Sequence, residues 1–163
     1  MSVAFRRESD EEHREPRFEL PIPVGPNLVT AAGLAQTAAR VAELEAAVAA
    51  EADAETLAVL QRDLRYWRTR LATAEFAPPP PEGEAAFGSR VTYRLNGEVR
   101  TIDIVGDDEA APNAGRIAFS APLARALIGA GPGDFSDFVG KADAIEVISV
   151  VGIGVGPAAP GAR

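Results

Sequence analysis

Four consecutive prolines at positions 78–81 divide this chain of 163 residues into two parts with different apolar periods. Proline has no backbone N–H and forces the residue before it into an extended conformation, so no helix continues through the run. Before the prolines, apolar residues recur every three or four positions, and after them they alternate. A helical part followed by a part rich in strands predicts an α+β protein with a domain boundary at the prolines.

The helical part carries two apolar stripes. Thr30 is placed as an N-cap, and the first stripe follows it with Leu34, Val41, Leu44 and Val48. The second stripe alternates steps of three and four and consists of Leu57, Leu60, Leu64, Trp67, Leu71 and Ala74. Because only a short polar turn separates the stripes, they cover each other by folding back. The pattern predicts an antiparallel two-helix coiled-coil hairpin over residues 29–77, a rod of about 30 Å in which Trp67 is the largest seam residue.

The part after the prolines is predicted to form strands and one short helix. Residues 87–95 and 98–105 alternate on either side of Asn96-Gly97, the favoured two-residue hairpin turn. A third strand is predicted at 116–119, a short helix at 120–128, and two further strands at 134–139 and 144–151. These elements predict an antiparallel sheet that packs over the helix.

The remaining segments complete the predicted domain organisation. Residues 1–28 mix charges with prolines and are expected to form a mobile tail, and residues 78–86 form a proline-rich linker. The C-terminal domain is predicted to cover residues 87–152. The glycine- and proline-rich residues 153–163 are expected to fray.

Composition excludes several kinds of site. The chain has no cysteine, so disulfide scaffolds, thiolate zinc sites and cysteine nucleophiles are excluded. Its formal charge of −8 disfavours nucleic-acid binding across the whole surface. Neither an export signal nor an apolar stretch long enough to span a membrane is recognisable, so a cytoplasmic protein is expected. His13, the single histidine, has no acid or nucleophile fixed beside it and is assigned no role.

Three segments resemble the C-terminal domain of the bacterial GreA/GreB transcript cleavage factors. They are Phe-Gly-Ser-Arg-Val at 87–91, Ile-Val-Gly-Asp-Asp-Glu-Ala at 104–110 and Ser-Ala-Pro-Leu-Ala-Arg-Ala-Leu-Ile-Gly at 120–129. The helical hairpin also resembles that of the family, and its segment 64–71 is more similar to GreB. The resemblance covers about residues 27–150.

The resemblance implies a fold, a partner and a reaction. The C-terminal domain would be FKBP-like and would dock at the secondary channel of RNA polymerase, and the rod would enter the channel. Acidic residues at the rod tip would then share Mg²⁺ with the polymerase, which itself hydrolyses backtracked transcripts. The chain would thus be an accessory factor without an active site or a stably bound cofactor, and its contact with nascent RNA and DNA would be indirect.

The tip carboxylates Glu51, Asp53 and Glu55 are the candidate Mg²⁺ ligands. They do not match the family's tip motif, and the rod is about 15 Å shorter than in the family. A solvated turn that favours the start of the second helix explains the same residues. The alternative function is therefore that of short-rod, Rnk-like regulators, which bind polymerase and occupy the channel without stimulating cleavage.

Two further sets of residues are candidates for contacts with polymerase. Arg62, Arg65 and Arg68 form a possible basic face of the rod, although arginines opposite an apolar stripe are usually its solvated side. Arg70 is also predicted to lie on this outward side of the second helix, opposite the apolar stripe. The residues predicted to dock on polymerase are Asp107, Asp108, Glu109, Pro122, Arg125 and Leu127. The acidic triplet at 107–109 could instead bind a cation, and turn chemistry after a glycine also explains it. Its match to the family favours docking on polymerase or packing between the two domains. Because the hairpin satisfies its own seam, a monomer is expected.

Overall fold

The computed structural model describes residues 18–154. The predicted tails at 1–17 and 155–163 lie outside these described residues. Helices α1 (Ala31–Ala50) and α2 (Ala54–Ala72) form the predicted hairpin. Thr30 and Asp53 cap them, because their side chains accept hydrogen bonds from the backbone N–H groups of Gly33 and Thr56.

Apolar side chains from both helices meet along the predicted seam. Val41, Leu44 and Leu64 are buried at its centre. The side chains packed around them are Val48, Leu60, Trp67 and Leu71, which confirms the seam position of Trp67. Leu34 is only half-buried, whereas Thr37 is buried and its hydroxyl donates to the carbonyl of Gly33 at 2.9 Å.

A two-stranded parallel sheet closes the base of the rod. Strand β1 (Leu28–Val29) enters α1, and strand β2 (Glu75–Phe76) leaves α2 and pairs with it. Asn27, expected in the mobile tail, is 5% exposed, and its side-chain amide donates to the carbonyl of Arg70 at 2.7 Å. The predicted tail therefore extends too far along the chain, because its last residues belong to the rod base.

The C-terminal domain contains a five-stranded sheet. Its strands are β3 (Ser89–Leu95), β4 (Glu98–Val105), β5 (Arg116–Ala118), β6 (Phe135–Phe138) and β7 (Lys141–Gly152). They lie in the order β5-β4-β3-β7-β6. All neighbours are antiparallel except β4 and β5, so the prediction of a wholly antiparallel sheet is wrong at this edge. The parallel pair arises because two 3₁₀ turns return the chain to the start of β5 in the direction of β4.

One face of the sheet packs against helix α3 (Pro122–Leu127) to make the core. The predicted turn between β3 and β4 is present, with Asn96 and Gly97 at φ 51° and 78° as a two-residue hairpin loop requires. Ala85, expected in the linker, is fully buried in the core, so the linker ends before it. The predicted α+β architecture of rod and sheet domain is confirmed. No helix in residues 18–154 has the length and apolar character needed to cross a membrane.

Candidate functional site

The rod tip holds the three carboxylates predicted as metal ligands. Glu51 Oε1 accepts hydrogen bonds from the N–H groups of Ala52 and Asp53 at 2.9 and 2.8 Å. Asp53 Oδ2 accepts from the N–H of Thr56 at 2.8 Å. This bond lowers the pKa of Asp53 below its usual value. Glu51 and Asp53 thus each use one carboxylate oxygen to hold the turn between the helices.

A metal site at the tip would need these carboxylates to converge. Within residues 18–154, no group of three His, Cys, Asp or Glu side chains is close enough to hold a metal ion. Carboxylate oxygens are nevertheless the donors that Mg²⁺ prefers, and few ligands from one protein suffice when others come from its partner. The tip by itself therefore offers donors of the right chemistry without a complete coordination shell.

Each arginine of the predicted basic face lies beside a carboxylate. Arg62 pairs with Asp63 at 2.9 Å, Arg65 with Glu19 at 2.6 Å and Arg68 with Glu45 at 2.8 Å. The pair with Glu19 ties the segment before the rod to α2. Surface ion pairs of this kind add little to stability. Their main effect is that each carboxylate neutralises the charge of the arginine beside it. The three arginines lie on the rod as predicted, but they do not make an uncompensated basic patch.

The base of the rod contains the most enclosed charged cluster in the described residues. The side chain of Arg70 is 3% exposed, and its Nε donates to Asp108 Oδ2. The hydroxyl of Tyr66 donates to the other oxygen of Asp108 at 2.5 Å. Burial and this bond raise the pKa of Tyr66 to about 12. The placement of Arg70 on the outward side of α2 is wrong, because the sheet domain covers this end of the helix.

Glu109 binds the start of α1. The hydroxyl of Thr30 donates to Glu109 Oε2 at 2.5 Å while it accepts from the N–H of Gly33 at 3.0 Å. A Cβ atom on Gly33 would lie 2.6 Å from the same carboxylate oxygen, so glycine permits this close approach. The carboxylate also lies at the positive end of the helix dipole.

Asp107 connects the cluster to the loop before α3. Its Oδ1 accepts from the hydroxyl of Ser120 at 2.6 Å, and its Oδ2 lies 3.9 Å from Arg70 Nη2. Gly106, the preceding residue, packs against the carbonyl of Leu28. Between the rod base and residues 106–109 remains a cavity of only about 10 Å³, room for at most one water molecule. The acidic triplet thus packs the two domains together, one of its two predicted roles, and its docking role stays a prediction.

The predicted docking residues on α3 differ in exposure. Pro122 and Arg125 are exposed, and Ser120 and Ile128 beside them extend the same surface. Leu127 is fully buried in the sheet core. Its assignment to a docking contact is therefore wrong, because a side chain without exposed surface cannot reach a partner. The exposed surface of Ser120, Pro122, Arg125 and Ile128 is called the α3 face below.

The sequence patterns did not identify several residues of the rod base. No local pattern assigns Tyr66 a role, and local patterns place Thr30 as a cap, Arg70 on the outward side of a helix and Asn27 in the tail. One sequence feature could have indicated that Arg70 is buried. Arg70 is next to the seam residue Leu71, near the end of the helix that leads into the second domain. Nothing in the local sequence indicates which side of that end the sheet domain covers.

Comparison with known proteins identifies the sheet domain. Residues 80–152 match the family model described as transcription elongation factor, GreA/GreB, C-term. GreA from Thermomicrobium roseum is 37% identical over 75 residues, which cover 44% of this chain and 48% of that protein. GreA from Vibrio parahaemolyticus is 41% identical over 75 residues, covering 45% and 48%. The chain thus spans about half the length of the curated relatives it matches.

Solved structures of similar proteins give looser matches. The crystal structure of Thermus thermophilus GreA factor homolog 1 is 16% identical, with a TM-score of 0.36, and covers 78% of this chain and 100% of that chain. The elongation factor GreA/GreB from Nitrosomonas europaea is 19% identical, with a TM-score of 0.38, and covers 78% and 98%. The predicted likeness of segment 64–71 to GreB stays a prediction, because the family model begins at residue 80. Residues 80–152 of this chain are thus a domain of the GreA/GreB C-terminal type.

Proposed function

We propose that this protein binds RNA polymerase at its secondary channel and stimulates the polymerase to cleave backtracked transcripts. The observation that carries the proposal is the combination of a GreA/GreB C-terminal domain with a helical rod that is hydrogen-bonded and ion-paired to it. The domain supplies a docking surface, and the rod projects an acidic turn about 30 Å from its base. Such a protein delivers carboxylates to a site that it does not itself contain.

In this proposal the chain's own residues have separate tasks. The α3 face docks on polymerase, and the rod base fixes the direction of the rod relative to that surface. At the tip, Glu51 and Asp53 would hold Mg²⁺ together with polymerase ligands, each through the carboxylate oxygen not used in the turn. The metal would supply activation of a water molecule for hydrolysis, and the polymerase would carry out the reaction.

A second function is favoured by the tip geometry. Glu51 and Asp53 accept hydrogen bonds from their own backbone, and the sequence resemblance implies a rod about 15 Å shorter than in the family. A factor with such a tip could occupy the channel without completing a metal site, and would then act as a non-catalytic regulator. Both functions require binding to polymerase, and they differ only in cleavage. We further propose that the protein acts as a monomer in the cytoplasm, where polymerase is found.

The test is a transcript cleavage assay on backtracked elongation complexes of the cognate polymerase, with binding measured in the same samples. The proposal predicts shortened RNA with a released 3′ fragment. The Asp53→Ala and Glu51→Ala variants should lose cleavage without losing binding, and the matched control Glu43→Ala, an exposed rod carboxylate, should keep both. Binding without cleavage by the unmodified protein would establish the channel-occupying regulator. Absence of binding would overturn both functions.

A further inference from the structure

Asp107 lies between two hydrogen-bond donors and satisfies only one of them. Ser120 Oγ donates to its Oδ1 at 2.6 Å. Arg70 Nη2 is 3.9 Å from its Oδ2, which is too long for a hydrogen bond. The two donors belong to different parts of the molecule, since Ser120 lies on the exposed loop before α3 and Arg70 lies at the base of the rod.

Arg70 Nη2 is the unsatisfied partner in this arrangement. It is a buried nitrogen without a hydrogen-bond acceptor among the described residues, although the Nε of the same guanidinium is bound by Asp108. Leaving a buried charged donor without an acceptor is costly, so an acceptor that can move towards it will be favoured. The Asp107 carboxylate is such an acceptor, because a movement of about 1 Å would bring it to hydrogen-bond distance.

Ser120 restrains that movement. Its hydroxyl holds the Asp107 carboxylate on the side of the α3 face, where Ser120 itself is exposed to solvent. A carbonyl or carboxylate oxygen of a docked protein could accept the Ser120 hydroxyl hydrogen in place of Asp107. The carboxylate would then be free to turn to Arg70, and the rod base would gain a charge-assisted hydrogen bond.

We propose that Asp107 is a positioning residue that couples the α3 face to the rod. When a partner accepts the hydrogen bond of the Ser120 hydroxyl, the Asp107 carboxylate loses that donor and accepts a hydrogen bond from the Arg70 guanidinium instead. Docking at the α3 face then tightens the joint that sets the direction of the rod. By linkage, a tighter joint strengthens docking by the same factor. The identity of the partner rests on the proposed function, whereas the coupling is a property of this chain alone.

The test mimics docking by removing the Ser120 hydroxyl. In the Ser120→Ala variant, Asp107 loses its other donor and binds Arg70. Side-chain NMR of the isolated protein should show hydrogen exchange of the Arg70 Nη2 protons slowed about tenfold or more, the size expected for one charge-assisted hydrogen bond. The matched control Ser149→Ala, an exposed serine on the sheet, should leave this exchange unchanged.

The Asp107→Ala background supplies the second arm of the test. Here Ser120→Ala should have no effect on Arg70 exchange, because the acceptor oxygens that carry the coupling are absent. Unchanged Arg70 exchange in Ser120→Ala alone would overturn the proposal, and so would equal slowing in both backgrounds. Because the readout needs no polymerase, loss of the proposed function in the cleavage assay would leave this result standing, and the two failures remain distinguishable.

Discussion

A carboxylate triplet lies near each end of the rod, one in the turn at its tip and one on the sheet domain at its base, and the two triplets have opposite surroundings. At the tip, Glu51 and Asp53 accept hydrogen bonds from the backbone of their own turn and remain in solvent. At the base, Asp107, Asp108 and Glu109 each bind a side chain from elsewhere in the chain, namely Ser120, Arg70 and Thr30. The tip carboxylates shape a local turn, whereas the base carboxylates hold two domains together.

The difference shows what decides the role of an acidic cluster. Both triplets contain the same chemical groups, and both follow helix or turn rules that favour acids. The base triplet differs because a buried arginine faces it. In addition, Gly33 leaves room for the Glu109 carboxylate, and Gly106 lets its own backbone approach that of Leu28. Available partners, rather than the number of carboxylates, determine whether such a cluster binds within the chain or is left for another molecule.

The largest effect should come from Arg70→Ala. Removal of one partner from a buried charge pair leaves Asp108 without its cation, and we expect a loss of about 3 kcal/mol in the free energy of unfolding. Arg68→Ala is the matched control, since its exposed pair with Glu45 should contribute no more than about 0.5 kcal/mol. Chemical denaturation of both variants measures the difference. Equal losses would mean that the base is no more important to stability than the rod surface.

The next effect should come from Gly106→Ala. The added Cβ would collide with the backbone carbonyl of Leu28, which cannot turn aside as a side chain could. We expect a loss of about 2 kcal/mol, in the range of overpacked sites. In the control Gly154→Ala, the Cβ would meet open space. If thermal denaturation gives the same melting temperature for both variants, the domains do not approach each other as closely as described.

At the tip, Asp53→Ala should have a smaller effect. Loss of the N-cap of α2 should lower Tm by about 2–4 °C. The hydrogen bond from Thr56 lowers the Asp53 pKa in the folded protein, so its contribution is present above pH 3.8 and is lost as the pH falls through the lowered pKa. The difference in Tm between wild type and variant should therefore shrink in acid. Glu55→Ala removes a neighbouring carboxylate that is not the cap and should change Tm less.

The smallest effect at neutral pH concerns the ionisation of Tyr66. Its pKa is raised to about 12, first by burial and then by the hydrogen bond to Asp108. The stability linked to its proton is thus fully present below pH 10 and is lost as the pH rises from 10 to about 12. A difference titration of phenolate absorbance between wild type and Tyr66→Phe measures this pKa. A pKa near 10 would show that Tyr66 is neither buried nor hydrogen-bonded to Asp108 as described.

Local rules sufficed for the elements that do not depend on distant contacts. The heptad spacing around Val41 and Leu64 predicts the seam, because each helix must cover the apolar stripe of the other. Asn96-Gly97 predicts the hairpin, because both residues adopt positive φ there. The caps Thr30 and Asp53 follow from the same kind of local chemistry.

The sequence could not predict the contacts that depend on how the domains meet. Arg70 lies where an isolated hairpin would expose it, and only the sheet domain buries it. Leu127 appears in a motif with exposed neighbours, and its inward direction follows from how α3 packs on the sheet. The parallel pairing of β5 depends on the path of the chain through the turns that precede it. At the tip, the alternatives of solvated turn and metal ligand stay open, because Glu51 and Asp53 each use only one carboxylate oxygen in the turn.

The parallel pairing of β1 with β2 has a consequence for how such chains can diverge. It holds the entrance and exit of the hairpin one strand spacing apart, about 5 Å, whatever the distance to the tip. Rod length is therefore an independent variable, because seven residues added to each arm would lengthen the rod by about 10 Å and preserve the seam register. Because the spacing at the base stays the same, hairpins of different lengths can replace one another without a change in the sheet domain.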